Sequence, residues 1–136
     1  MSNEAISAVD HARSATRDLW ETLAAEPRLS AFLERARAGG LEPDLCGPRL
    51  YTVLAPVNEA FTVHGQGREC GREYLLRGAV TVDALRLSGA VKTLRGNSVP
   101  IEEIGNELYI GKARVVRADI ECSNGVLHMI DALLYS

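Results

Sequence analysis

Long apolar runs are missing from this sequence. Its uninterrupted apolar stretches are a handful of residues, whereas a helix that crosses a bilayer needs ~20, so no transmembrane helix is expected. A recognisable leader is missing too. The opening stretch MSNEAISAVDHARSATRDLW is polar and charged throughout, without a basic segment, an apolar segment and a small-residue cleavage site. With Met1 as the native start a cytoplasmic location is expected; with Met1 replacing a removed leader, a secreted or periplasmic one. Cysteine is scarce. Cys46, Cys70 and Cys122 show no paired spacing, which argues against a disulfide framework and a structural zinc site and fits free thiols. Basic excess is absent as well: the formal net charge is -3, with cationic residues scattered among acidic ones along the chain. No concentrated positive stretch of the kind that binds phosphate backbones is visible, so nucleic acid is not an expected partner. No cofactor motif and no metal-ligand spacing is found.

What is present fits one domain. A chain of 136 residues is long enough to bury about two-thirds of the surface its unfolded form exposes. Apolar positions from Ile6 through Leu19, Trp20 and Leu23 fall at helical spacing, which predicts a helix from Asn3 to Leu23. A second helix follows in EPRLSAFLERARAGGL, with Pro27 suited to a first turn and Gly39 or Gly40 to a left-handed cap. LEPDLCGP, with two prolines and a glycine, reads as a connector, and RLYTVLA as a strand ended by Pro56. Asn58 is placed to cap a short helix through Phe61, and Thr81 a brief helix containing Leu85. Between those helices, TVHGQGRECGRE has no periodicity and reads as an irregular loop. The remainder is short strand-like runs separated by Gly105-Asn106, Gly111 and Asn124-Gly125, residues that supply the positive φ of tight hairpins. Helices first and strands later, without βαβ alternation, indicate an α+β fold.

Several segments in order resemble the fasciclin-like domain family. YTVLAPVNEAF (Tyr51 to Phe61) resembles its first signature, VKTLRGNSV (Val91 to Val99) its Thr-Leu-x-Gly strand and turn, and ADIECSNGVLHMIDALL (Ala118 to Leu134) its second signature. The resemblance implies a single domain over residues 1–136, with residues 1–18 as a helical N-terminal extension. It implies two short β-sheets packed as a wedge or sandwich with several helices around one side. The implied role is non-catalytic: a soluble module of adhesion type that contacts a protein, a polysaccharide or a lipid-like ligand. Many members carry a Tyr-His pair, associated with adhesive contacts, before a Val-Val-Pro-Gly-like turn; the matching positions here are Glu73 and Tyr74, ahead of LLRG.

Candidate site residues divide into frame and ligand-facing sets. Asn124 and Gly125 are expected to turn the chain. His128, flanked on its strand face by Val126 and Ile130, is expected to be a buried, hydrogen-bonded imidazole rather than a ligand. Asn58, Asp119 and Asp131 join this structural set, the two aspartates bonding backbone N–H groups or an arginine. The loop after Phe61 is the chemically dense part, with His64, Arg68, Glu69, Cys70, Arg72 and Glu73 close together. Neighbouring arginines would favour a Cys70 thiolate and His64 would serve as its base, making these two the catalytic candidates. If that region exposes core, Phe61, Val63, His64, Tyr74, Leu75 and Leu76 line a pocket. The alternative function is then a cytoplasmic, cofactor-independent enzyme or carrier acting on a small apolar molecule in a biosynthetic pathway.

Overall fold

A computed structural model describes residues 17–63 and 70–134. The first described helix, α1 (Leu19–Ala24), opens on a capping box. The Asp18 carboxylate accepts the Glu21 N–H at 2.7 Å and the Glu21 carboxylate accepts the Asp18 N–H at 3.0 Å, so orphan donors are satisfied reciprocally. Asp18 is extended (ψ 177°), so a continuous helix from Asn3 to Leu23 is broken there. The rest of the predicted N-terminal helix, residues 1–16, lies outside the described residues. A 3-10 turn (Pro27–Leu29) leads into α2 (Ser30–Ala38). α2 ends as its glycines predict: Gly40 has φ +79°, its N–H bonds Arg37 O, and the Leu41 N–H reaches back to Ala36 O. LEPDLCGP is not a plain connector. It forms α3 (Glu42–Cys46), because Pro43 sits in the first turn, where its missing N–H costs nothing.

The strands are β1 (Tyr51–Pro56), β2 (Leu75–Arg77), β3 (Ala90–Lys92), β4 (Ser98–Ile104), β5 (Glu107–Ile110), β6 (Ala113–Cys122) and β7 (Gly125–Ile130). Helix α4 (Asn58–Val63) follows β1, and α5 (Val82–Ser88) precedes β3 with Thr81 as its cap. The expected two sheets are one: a seven-stranded sheet in the order β2-β1-β7-β6-β5-β4-β3. β6 is what unites them. It is ten residues long, pairs with β5 near its start and β7 beyond, and shifts register between Val115, Arg117 and Ile120. Such bulges bend a strand enough for its two ends to belong to differently oriented halves. β1 and β7 pair in parallel, Tyr51 against Gly125 through Pro56 against Ile130. The outer strands also meet: Leu76 bridges Thr93 just past β3, and the Leu94 N–H donates to Leu75 O at 2.9 Å.

Both faces of β1 and β7 are buried. The apolar side chains of α1–α4 and the sheet form one continuous cluster, with Phe32, Leu54, Leu75, Leu127 and Met129 fully enclosed.

Candidate binding groove

The frame residues take their places first. The Asn124 carboxamide is buried, accepting the Leu19 N–H at 2.8 Å and donating to Leu45 O at 2.7 Å and Gly47 O at 3.1 Å. It thus ties α1 and α3 to the turn before β7. Gly125 (φ +152°) lies so close to β1 that a Cβ there would collide with the Tyr51 carbonyl oxygen. His128 is fully buried; its Nδ1 accepts the Asp119 N–H at 3.1 Å and its Nε2–H donates to Val80 O at 2.8 Å. Both ring nitrogens are satisfied by a neutral imidazole, and burial pushes its pKa below the ordinary 6.5. Asp119 accepts the Val82 N–H at 2.9 Å, and Asp131 accepts the Arg114 N–H at 2.8 Å and pairs with its guanidinium. Asn58 is the first residue of its own helix and also caps a neighbouring one. Its Oδ1 accepts the Ala31 N–H at 2.9 Å and its Nδ2 donates to Pro27 O at 3.0 Å, so it caps α2 from α4.

The residues expected to line a pocket are core. Phe61 is 6% exposed, Tyr74 3%, Leu75 0% and Leu76 2%. The Arg35 guanidinium covers the Phe61 ring at 4.4 Å, and Tyr74 packs edge-on against Phe32 with ring centroids 5.8 Å apart. His64 and the Val63 side chain lie outside the described residues. Cys70 is buried rather than activated. Desolvation, with Glu73 nearby, pushes its thiol up to about 12, outweighing the opposing effect of Arg35. A group held there is protonated at neutral pH and is a poor nucleophile.

Where the irregular loop returns, it builds a groove. The Cys70 N–H donates to Arg35 O at 3.1 Å, and the Cys70 carbonyl lies against Gly39, where a Cβ would clash with it. That contact sets the 3-10 turn Arg72–Tyr74 beside the ends of α2 and α3. From the turn, Arg72 Nε reaches Asp44 at 3.2 Å, while the largely enclosed Glu73 carboxylate meets Arg95 at 3.3 Å across Gly71. The Leu75–Leu94 backbone bond brings Leu94 and Arg95 in from the other edge of the sheet. Gly39, Gly40, Gly71, Arg72, Leu94 and Arg95 enclose about 390 Å³. Arg72 and Leu94 are shared with a second lobe of about 240 Å³, completed by Asp44, Arg49, Tyr51 and Arg77. Sequence reading missed this site. Arg49, Arg72, Arg77 and Arg95 come from four segments, and only the fold makes them neighbours.

Among the described residues no group of His, Cys, Asp and Glu side chains is arranged to hold a metal ion, and no helix is long and apolar enough to cross a membrane.

The seven-stranded sheet, the helices around it and the two signature segments define a class. The Fasciclin domain family model matches residues 27–136, so the chain belongs to the fasciclin domain family. Human periostin is 27% identical over 140 residues, covering 90% of this chain but 16% of periostin. Protein sll1483 of Synechocystis is also 27% identical, over 84% of this chain and 71% of its own length. A solved FAS1 domain pair from the insect cell adhesion molecule Fasciclin I superposes with a TM-score of 0.76 at 19% identity, covering 90% of this chain and 52% of that one. The chain thus spans only a fraction of periostin and about half of the solved pair.

Proposed function

We propose that this fasciclin domain is a non-catalytic binding module of the adhesion type, and that its contact surface is the two-lobed groove around Arg72 and Leu94. The observation that supports this most is the gathering of polar and cationic side chains at one open groove, while Phe61, Tyr74, Leu75 and Leu76 fill the core. The solved relative's origin in a cell adhesion molecule agrees with such a role. Among the described lining residues the groove is polar, with Leu94 and the nearly buried Tyr51 its large apolar side chains. That composition suits a protein or polysaccharide surface better than an acyl chain. The test is retention of protein-coated beads on a panel of defined protein, polysaccharide and lipid surfaces. Native protein holds to at least one protein or polysaccharide surface, and Leu94→Asp, which sets a carboxylate between the lobes, releases the beads while the melting temperature stays near native. Beads held nowhere, or held equally by the variant, remove the proposal.

A further inference from the structure

The groove concentrates charge that the whole chain does not have. Against a net charge of -3, its described lining sets four arginines against one carboxylate, Asp44, with Glu73 reaching Arg95 from beside it. Each carboxylate engages one arginine through a single close contact, leaving the rest of each guanidinium fork available. Arg49 and Arg77 have no ion pair among the described residues, although both border the second lobe. Guanidinium forks match the planar carboxylate and the tetrahedral sulfate, each taking paired N–H donors. The forks stand in two joined lobes, so a single small anion cannot engage them all. A ligand that fills the groove carries anionic groups at intervals along its length.

An acidic peptide is one such polymer, but the backbone here offers it little. Peptides commonly dock by adding a strand to a free sheet edge, and beside the groove the edges of β2 and β3 are already joined through Leu76–Thr93 and Leu75–Leu94. Nor, among the described residues, does the groove offer a deep apolar pocket for an anchoring side chain. Among the described lining residues Tyr51 is 7% exposed and belongs to the core, so the half-buried Leu94 supplies the apolar ledge between the arginines, small enough to take one face of a sugar ring rather than an anchoring side chain. Resting on the binding-module reading above, we infer that the groove binds an acidic polysaccharide, a sugar polymer bearing carboxylate or sulfate groups, with Arg49 and Arg77 supplying the unpaired forks and Arg72 and Arg95 the held ones.

The experiment is calorimetric titration with polygalacturonate (carboxylate), dextran sulfate (sulfate) and neutral dextran. Native protein binds one or both anionic polymers with a salt-weakened affinity and does not bind neutral dextran. The double variant Arg49→Gln/Arg77→Gln loses about ten-fold in affinity or more, as the removal of two charge-assisted contacts implies. Arg28→Gln/Arg37→Gln removes the same charge outside the groove and changes affinity less than about two-fold. Melting temperatures near native certify both; if the groove double variant fails to fold, the two single variants replace it. Equal losses in both double variants overturn the inference. So does tighter binding of poly-glutamate, which makes the occupant an acidic peptide, or full competition by inorganic sulfate at equal anion concentration, which makes it a single-anion site. If the groove variant loses the polymers while its beads still hold to a protein surface, the polysaccharide assignment was right but is not what mediates retention there. If it keeps the polymers, the assignment falls and the binding module stands.

Discussion

At Asp119 the backbone takes φ +59° in the bulged middle of β6, a conformation that costs a side-chain-bearing residue about 1 kcal/mol. Two contacts hold it there: its N–H donates to His128 Nδ1 and its carboxylate accepts the Val82 N–H. His128 therefore joins the bulge, the segment before α5 and the interior strand β7 through one ring. His128→Ala removes both ring hydrogen bonds and opens a void, costing about 2–4 kcal/mol and lowering the melting temperature by roughly 10 °C, measurable by calorimetry. A pH series carries the same signature. The folded imidazole protonates below 6.5 because burial disfavours its charge, so the unfolded chain takes up the proton first as pH falls. The His128 contribution to stability is accordingly level above pH 6.5 and declines below it until the folded pKa is reached. Thermal melts between about pH 8 and pH 5 should show that decline in the native protein and a shallower one in His128→Ala.

Helix α2 starts without a side-chain cap from its own N-cap residue, Leu29, and depends on Asn58 across the packing interface with α4. Asn58→Ala should cost about 1–2 kcal/mol. Asn58→Asp, which keeps an acceptor but loses the donors to Pro27 O and Ser30 Oγ, should fall between; urea titration of the three chains measures the order. Local signals of this kind were largely legible in the sequence. Thr81 before α5, the glycines after α2 and the turns at Gly105 and Gly111 act through neighbours a few residues away, so composition shows them; Asn124-Gly125 was legible as a turn as well, but what fixes it, the Tyr51 carbonyl and the bonds to α1 and α3, is distant in sequence. Non-local features were not. Nothing in the letters from Ala113 to Cys122 says that one strand bends enough to serve both halves of the sheet, because its bulge is made by Asp119 rather than a glycine. Two prolines in LEPDLCGP conceal α3, since proline is as welcome in a first helical turn as it is in a connector. The groove was hidden for a related reason. Arg49, Arg72, Arg77 and Arg95 each stand among acidic or neutral neighbours, and a tally along the chain averages out what the meeting of β2 with the end of β3 brings together.

At the scale of the molecule, family membership and sheet order agree: the first signature forms β1 and the second closes the domain as β7, its immediate neighbour. Those two strands run in the same direction, side by side in register for six residue pairs. This has a mechanical meaning. Pulling the chain backwards from Tyr51 and forwards from Ile130 drags the two strands past each other, so their hydrogen bonds carry load together rather than one at a time. Between β1 and β2 the pairing is antiparallel, and pulling Leu50 away from Gly78 opens that ladder from one end like a zip. In single-molecule pulling, attachment at Leu50 and Ala132 should rupture at a several-fold higher force than attachment at Leu50 and Gly78; equal forces would show that β1 and β7 do not bear the load. A fold that sets β1 and β7 side by side this way resists a tug along its own chain.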